Sequence, residues 1–120
     1  MARIMIADDS DNIRQFLEDL LTSENHVIVA QAVNGADAIE KFNETNPDVL
    51  LLDIAMPKKS GLNVLKEIIA TNPNARIVMI TANEDINLAT QCIQQGAIAY
   101  LMKPFDSSQV LTSIKMALAE

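Results

Sequence analysis

Tryptophan is absent, and cysteine and histidine occur once each, as Cys92 and His26. A lone cysteine cannot close an internal bridge, so no disulfide framework holds this chain. Glycine is almost as scarce. The three glycines, Gly35, Gly61 and Gly96, form no GxGxxG loop, and aromatic residues make up only 3% of the sequence. A flavin or dinucleotide binder needs a phosphate-cradling loop and stacking rings, so that class is disfavoured. No apolar run approaches the roughly 20 residues of a membrane span, and the opening MARIMIADD lacks the apolar stretch of a signal peptide. The expectation is a cytoplasmic protein with no membrane partner. Cations are also few: nine Lys and Arg stand against sixteen Asp and Glu, a formal net charge of -7. Each phosphate contact requires a cation, so direct nucleic-acid binding is not expected.

What remains is ample for one core. Of 120 residues, 49% are hydrophobic, and a domain of this size buries roughly two-thirds of its unfolded surface. There is no Ser/Gly linker and no low-complexity segment, so residues 1–120 read as a single domain. Apolar periodicity alternates five times between short runs and helical stripes, the pattern of a βα repeat. The runs predict strands over Arg3–Ala7, Val27–Val33, Val49–Leu52, Ile77–Ile80 and Ile98–Met102. VLLL and IVMI are apolar throughout, as central strands covered on both faces should be. Gln31 and Tyr100 suit the second and fifth runs to the edges.

Helical stripes follow at Ile13, Phe16, Leu17, Leu20 and Leu21, with Ser10 as N-cap, then at Ala38, Ile39 and Phe42. Three more use Leu62, Leu65, Ile68 and Ile69; Ala89, Cys92 and Ile93; and Val110, Ile114 and Leu118. Asn46-Pro47, Asn72-Pro73 and Gln95-Gly96 supply the stops. Right-handed crossovers lay each helix on the sheet, and the simplest closure is an α/β fold with a doubly wound five-stranded parallel sheet and five helices; a flavodoxin-like strand order, 2-1-3-4-5, would make the first and third strands neighbours.

In open sheets of this kind ligands sit beyond the carboxyl ends of the strands. Asp8 and Asp9 follow the first strand, Asp53 the third, Thr81 the fourth and Lys103-Pro104 the fifth. Three gathered carboxylates repel one another unless something cationic joins them. A divalent metal and Lys103 could both do so. Oxygen donors without His or Cys favour Mg²⁺, with Mn²⁺ second and Zn²⁺ disfavoured. Each residue alone has a plainer reading as a cap, a turn residue or a solvated charge. Those plainer readings do not explain why all four sets fall at one end of the sheet.

The same set, in this order and strand context, resembles the two-component response-regulator receiver domain along the whole chain. The resemblance is greatest to stand-alone, chemotaxis-type (CheY-like) receivers. It implies that Asp53 is the phosphoacceptor for a histidine kinase, and that Asp8, Asp9, Asp53 and the Ala55 carbonyl hold Mg²⁺. It further implies that Lys103 pairs with a phosphoryl oxygen and that Thr81 donates its hydroxyl to another. Thr81 and Tyr100 would form the switch, remodelling the face of helix four, strand five and helix five. The Lys103-Pro104 bond would be cis. The output partner would be a flagellar motor component or an output domain, and the chain a monomeric signalling module rather than an enzyme. Ala55 and Asn83, two residues after Asp53 and Thr81, depart from the best-known chemotaxis pattern at positions that tune phosphate lifetime.

Two further readings compete. The chain could be the N-terminal receiver of a longer, DNA-binding regulator. A Mg²⁺-dependent phosphatase using an aspartyl phosphate is disfavoured, because its general acid would have to be Ala55. Met5, Met79 and Met102 are expected in the core, and Cys92 as an inert buried thiol. A surface role is expected for His26, and solvation for Lys58 and Lys59.

Overall fold

The structure is a computed structural model that describes residues 1–82 and 86–119. Asn83 therefore lies outside the described residues. Elements run β1 (Arg3–Ala7), α1 (Asp11–Ser23), β2 (Val27–Ala32), α2 (Gly35–Thr45), β3 (Val49–Asp53), α3 (Gly61–Thr71), β4 (Ile77–Ala82), α4 (Ile86–Gln94), β5 (Ala99–Lys103) and α5 (Ser107–Ala119). All strand pairs are parallel, in the order β2-β1-β3-β4-β5. The expected topology, with β2 and β5 at the edges, is the observed one.

Alternation of side chains along each strand divides the core into two layers. Met5, Leu50, Leu52, Ile77 and Met79 face Phe42 of α2, Val64, Leu65 and Ile68 of α3 and Cys92 of α4. Ile4, Ile6, Val49, Leu51, Val78 and Ile80 face Leu17 and Leu21 of α1 and Val110, Ile114 and Ala117 of α5. The central strands, apolar on both faces up to their carboxyl ends, thus supply both layers at once. Truncating one fully buried leucine such as Leu51 to alanine should cost about 2–5 kcal/mol.

Caps fix the helix starts. Ser10, Asn34 and Ser60 accept from the backbone N–H groups of Ile13, Asp37 and Asn63. Asp106 and Gln109 exchange reciprocal bonds across the first turn of α5. Asn46 ends α2 with φ 48°, and Gly96 follows α4 with φ 113°.

Strand boundaries differ from the sequence reading where polar residues continue a ladder. β3 includes Asp53, opposite Ile80, and β4 runs on through Thr81 and Ala82 because Ala82 pairs with Lys103. β2 ends at Ala32, leaving Val33 outside and exposed. Ile98 precedes β5, although its N–H still donates to the Ile77 carbonyl. Several stripe residues are only marginally inside. Phe16, Ile93 and Leu118 are exposed, with Phe16 leaning on Phe105 at 6.2 Å between ring centroids.

Met5 and Met79 are core, but Met102 is half-buried, because it lies on the outer face of an edge strand. His26 is half-buried too, its Nδ1 accepting from the Ala2 N–H at 3.1 Å, so it anchors the start of β1 rather than facing water freely. Lys59 is ion-paired with Glu67. No helix among the described residues is long and apolar enough to cross a membrane.

Candidate functional site

The carboxyl edge of the sheet gathers the residues expected there. β1 and β3 are neighbours, so Asp8, just past β1, stands beside Asp53 at the end of β3. One carboxylate oxygen from each of Asp8, Asp9 and Asp53 lies within 4.8 Å of the others. Asp8 and Asp53 are buried and Asp9 is exposed, so the group opens to solvent on the Asp9 side. Two strands away, Lys103 at the end of β5 directs its Nζ back to 3.8 Å from Asp8 Oδ2 and 3.7 Å from Asp53 Oδ1. Those separations make ion pairs but not hydrogen bonds. The Lys103-Pro104 bond is cis.

The β1–α1 loop is held in place locally. Asp8 Oδ1 accepts from the Ser10 N–H at 2.8 Å, and Arg14 of α1 donates to the Asp8 carbonyl at 2.7 Å while also pairing with Asp11. Asp53 Oδ1 accepts from the Ala55 N–H at 3.3 Å. The loop between β3 and α3 returns because Gly61 packs under β3. A β-carbon at Gly61 would stand 2.3 Å from the Asp53 carbonyl oxygen. Arg14 and Gly61 went unread in the sequence. A glycine a few residues past a strand-end Asp was the available signal for the second, while nothing local marked the first.

Two buried oxygens, Asp8 Oδ2 and Thr81 Oγ1, have no hydrogen-bond partner among the described residues. A buried polar atom left unpaired is costly, and in a native fold it calls for an explanation such as a ligand. Electrostatics points the same way. Burial, with the negative charge of Asp8 next, pushes Asp53 up to about 6, against the opposing pull of Lys103 and the Ala55 N–H. Burial likewise raises Asp8, although the Ser10 N–H and Lys103 oppose it. One ammonium does not neutralise three carboxylates. A small hard dication fits what is missing, a second positive charge among oxygen donors. The oxygen-only donor set suits it, as does Asp8 Oδ2, which is ion-paired with Lys103 but accepts no hydrogen bond among the described residues.

Of the expected site residues, Asp8, Asp9, Asp53 and Lys103 converge, and Thr81 lies on the adjacent strand with its hydroxyl buried. Ala55 follows Asp53 at the mouth and is exposed. Tyr100 stands apart, 41% exposed on the outer strand β5 beside a groove of about 500 Å³ that Ile93, Met102 and Met116 help to line. A second cavity, of about 620 Å³, lies next to Lys103 between Ile13, Phe16 and Phe105.

Residues 4–115 match the response regulator receiver domain family. The chain is 39% identical over 116 residues to the chemotaxis protein CheY of Bacillus subtilis, covering 97% of each chain. Its structure superposes with a TM-score of 0.93 on a chain of the CheX-CheY-BeF3-Mg²⁺ complex of Borrelia burgdorferi. That match has 32% identity and covers 98% of this chain and 90% of the other. It also superposes on NtrX of Brucella abortus, with a TM-score of 0.91 and 29% identity. There 98% of this chain spans only 27% of the longer one.

Proposed function

Because the chain belongs to the response regulator receiver family and is CheY-like, we propose that it is a phosphorylation-dependent switch whose phosphoacceptor is Asp53. Residues 1–120 form one receiver unit, a signalling module of a two-component system rather than a turnover enzyme. It works in the cytoplasm.

A histidine kinase is the donor. An Asp53 carboxylate oxygen attacks the phosphorus, the new O–P bond forms as the N–P bond of the phosphohistidine breaks, and the electron pair leaves with the imidazole. Asp53 must be ionised to attack, and a value near 6 leaves it mostly so at neutral pH. Asp8, Asp9, Asp53 and the Ala55 carbonyl would hold Mg²⁺, which when bound supplies positive charge to the equatorial oxygens. Lys103 supplies a second positive charge beside Asp8 and Asp53. Thr81 donates its buried hydroxyl to a phosphoryl oxygen, satisfying an atom that otherwise has no partner.

Thr81 and Tyr100 carry the change outward. The phosphoryl group adds about two negative charges, which favours a packing in which Thr81 moves toward it and Tyr100 turns inward. The face of α4, β5 and α5 then binds an output partner, such as a flagellar motor component or an output domain. The Mg²⁺ in the Borrelia complex and the CheY identity of the Bacillus relative support the metal and the chemotaxis reading respectively. A receiver within a longer regulator is the second reading, favoured by the match to one quarter of NtrX.

The observation that carries the proposal is the convergence of three carboxylates within 4.8 Å with the Lys103 ammonium 3.7 Å from Asp53. Its test is mass measurement after incubation with acetyl phosphate and Mg²⁺. The wild type should gain one phosphoryl group and Asp53→Asn none. Equal gain in both would move the phosphoacceptor elsewhere.

A further inference from the structure

If the Ala55 carbonyl is part of the site, as proposed above, then the path of the loop over residues 54–60 is a condition of it. That loop is tightly constrained. Lys58 sits at φ 70°, in the left-handed region that a side chain occupies at a cost. The chain turns sharply there, the Lys59 N–H donating to the Pro57 carbonyl at 2.8 Å. The far end cannot shift toward β3, because Gly61 is already wedged beneath the Asp53 carbonyl.

Against the crest of the loop rests Gly35, the buried first residue of α2. None of the residues assigned to the acidic pocket lies on α2. The Gly35 N–H donates to the Pro57 carbonyl at 3.4 Å, and a β-carbon at position 35 would stand 2.3 Å from the Lys59 carbonyl oxygen, 2.5 Å from its Cβ and 2.9 Å from its carbonyl carbon. Two of those three atoms are backbone, which can give way only if the loop itself moves.

We propose that Gly35 is a positioning residue for the phosphoryl site: the bare backbone at the start of α2 is the stop on which Pro57–Lys59 rests, and it sets where Ala55 stands relative to Asp53. A side chain at position 35 pushes residues 57–59 outward. With Gly61 fixed, the displacement falls on Ile54–Met56. The Ala55 N–H bond to Asp53, already long at 3.3 Å, is the first to yield. A purely helical role for Gly35 predicts the opposite sign, since alanine is the better helix former.

The test is a Mg²⁺ titration of the full chain without phosphodonor, followed through backbone amide resonances. Wild-type amides of Asp9, Asp53 and Ala55 should respond. If they do not, the metal reading of the pocket fails before the role of Gly35 is in question. Gly35→Ala should bind Mg²⁺ about tenfold more weakly, with the Ala55 and Met56 resonances displaced even in metal-free protein. Should Gly35→Ala fail to fold, Lys59→Gly loosens the same stop from the exposed side and should also weaken binding. Lys59→Ala keeps the β-carbon, loses the outer chain with the ammonium paired with Glu67, and should bind as the wild type does. Wild-type affinity in a folded Gly35→Ala or in Lys59→Gly would overturn the proposal, as would an equal loss in Lys59→Ala.

Discussion

The ammonium nitrogen of Lys103 stands 3.7 Å from Oδ1 of Asp53, near enough to attract and too far to hydrogen-bond. Its positive charge is one of two influences that hold the Asp53 pKa down against burial and Asp8. Lys103→Met should therefore raise Asp53 above about 6 and slow phosphorylation by acetyl phosphate by about 100-fold. Carbon-detected NMR titration of the Asp53 carboxyl, beside a phosphorylation time course, checks both. An unmoved titration would uncouple the two residues.

Stability of the metal-free protein should fall as pH rises. Asp53 has an ordinary value of 3.8 and about 6 in the fold, so between those values the folded chain keeps a proton that the unfolded chain has lost. The contribution is complete below 3.8 and is lost as pH rises through 6, on the order of 2–3 kcal/mol. Burial raises Asp8 as well, which acts in the same direction. Urea midpoints between about pH 5 and pH 7.5 should show the decline, and Asp53→Asn should flatten it. A midpoint that climbs over that interval in metal-free protein would contradict the role given to burial.

Mg²⁺ should reverse that loss. A ligand that binds only the folded state stabilises it by about 2.7 kcal/mol at 100 times its dissociation constant. Asp9 is exposed, so Asp9→Asn should leave metal-free stability within about 0.5 kcal/mol while abolishing the Mg²⁺-dependent rise in melting temperature. A variant that keeps the full rise would remove Asp9 from the metal site.

Thr81→Val should separate stability from signalling. The Thr81 hydroxyl is buried without a partner among the described residues, and valine fills the same volume. The unphosphorylated variant should gain about 1 kcal/mol. Phosphoryl transfer to Asp53 should persist at a reduced rate, but the resonance changes it causes at Tyr100 should vanish. Chemical denaturation and amide spectra before and after acetyl phosphate read the two effects apart.

Much of this was legible beforehand because parallel strands buried on both faces leave an unmixed apolar signature. Arg3–Ala7 was read to its ends, and Gln31 and Tyr100 marked the edges. The apolar criterion failed at strand termini, where Asp53, Thr81 and Lys103 stay in the ladder although their side chains are polar. Polarity hid their strand character. It also misplaced Phe16, Ile93 and Leu118, since a stripe gives a face but not how far a neighbouring element extends over it. The Arg14 bond to the Asp8 carbonyl and the seat of Gly35 against Lys59 depend on long-range geometry, and no local pattern announces either.

Cys92 is fully buried in the layer beneath α4, and burial raises its thiol above the ordinary value. Thiol-directed dyes react with exposed thiolates, so the native sulfur should stay silent toward maleimide at neutral pH. A single cysteine introduced at the rim of the β5 groove could then carry a fluorescent or spin reporter without deleting the natural one. The conformational response would become observable in a chain that has no tryptophan of its own.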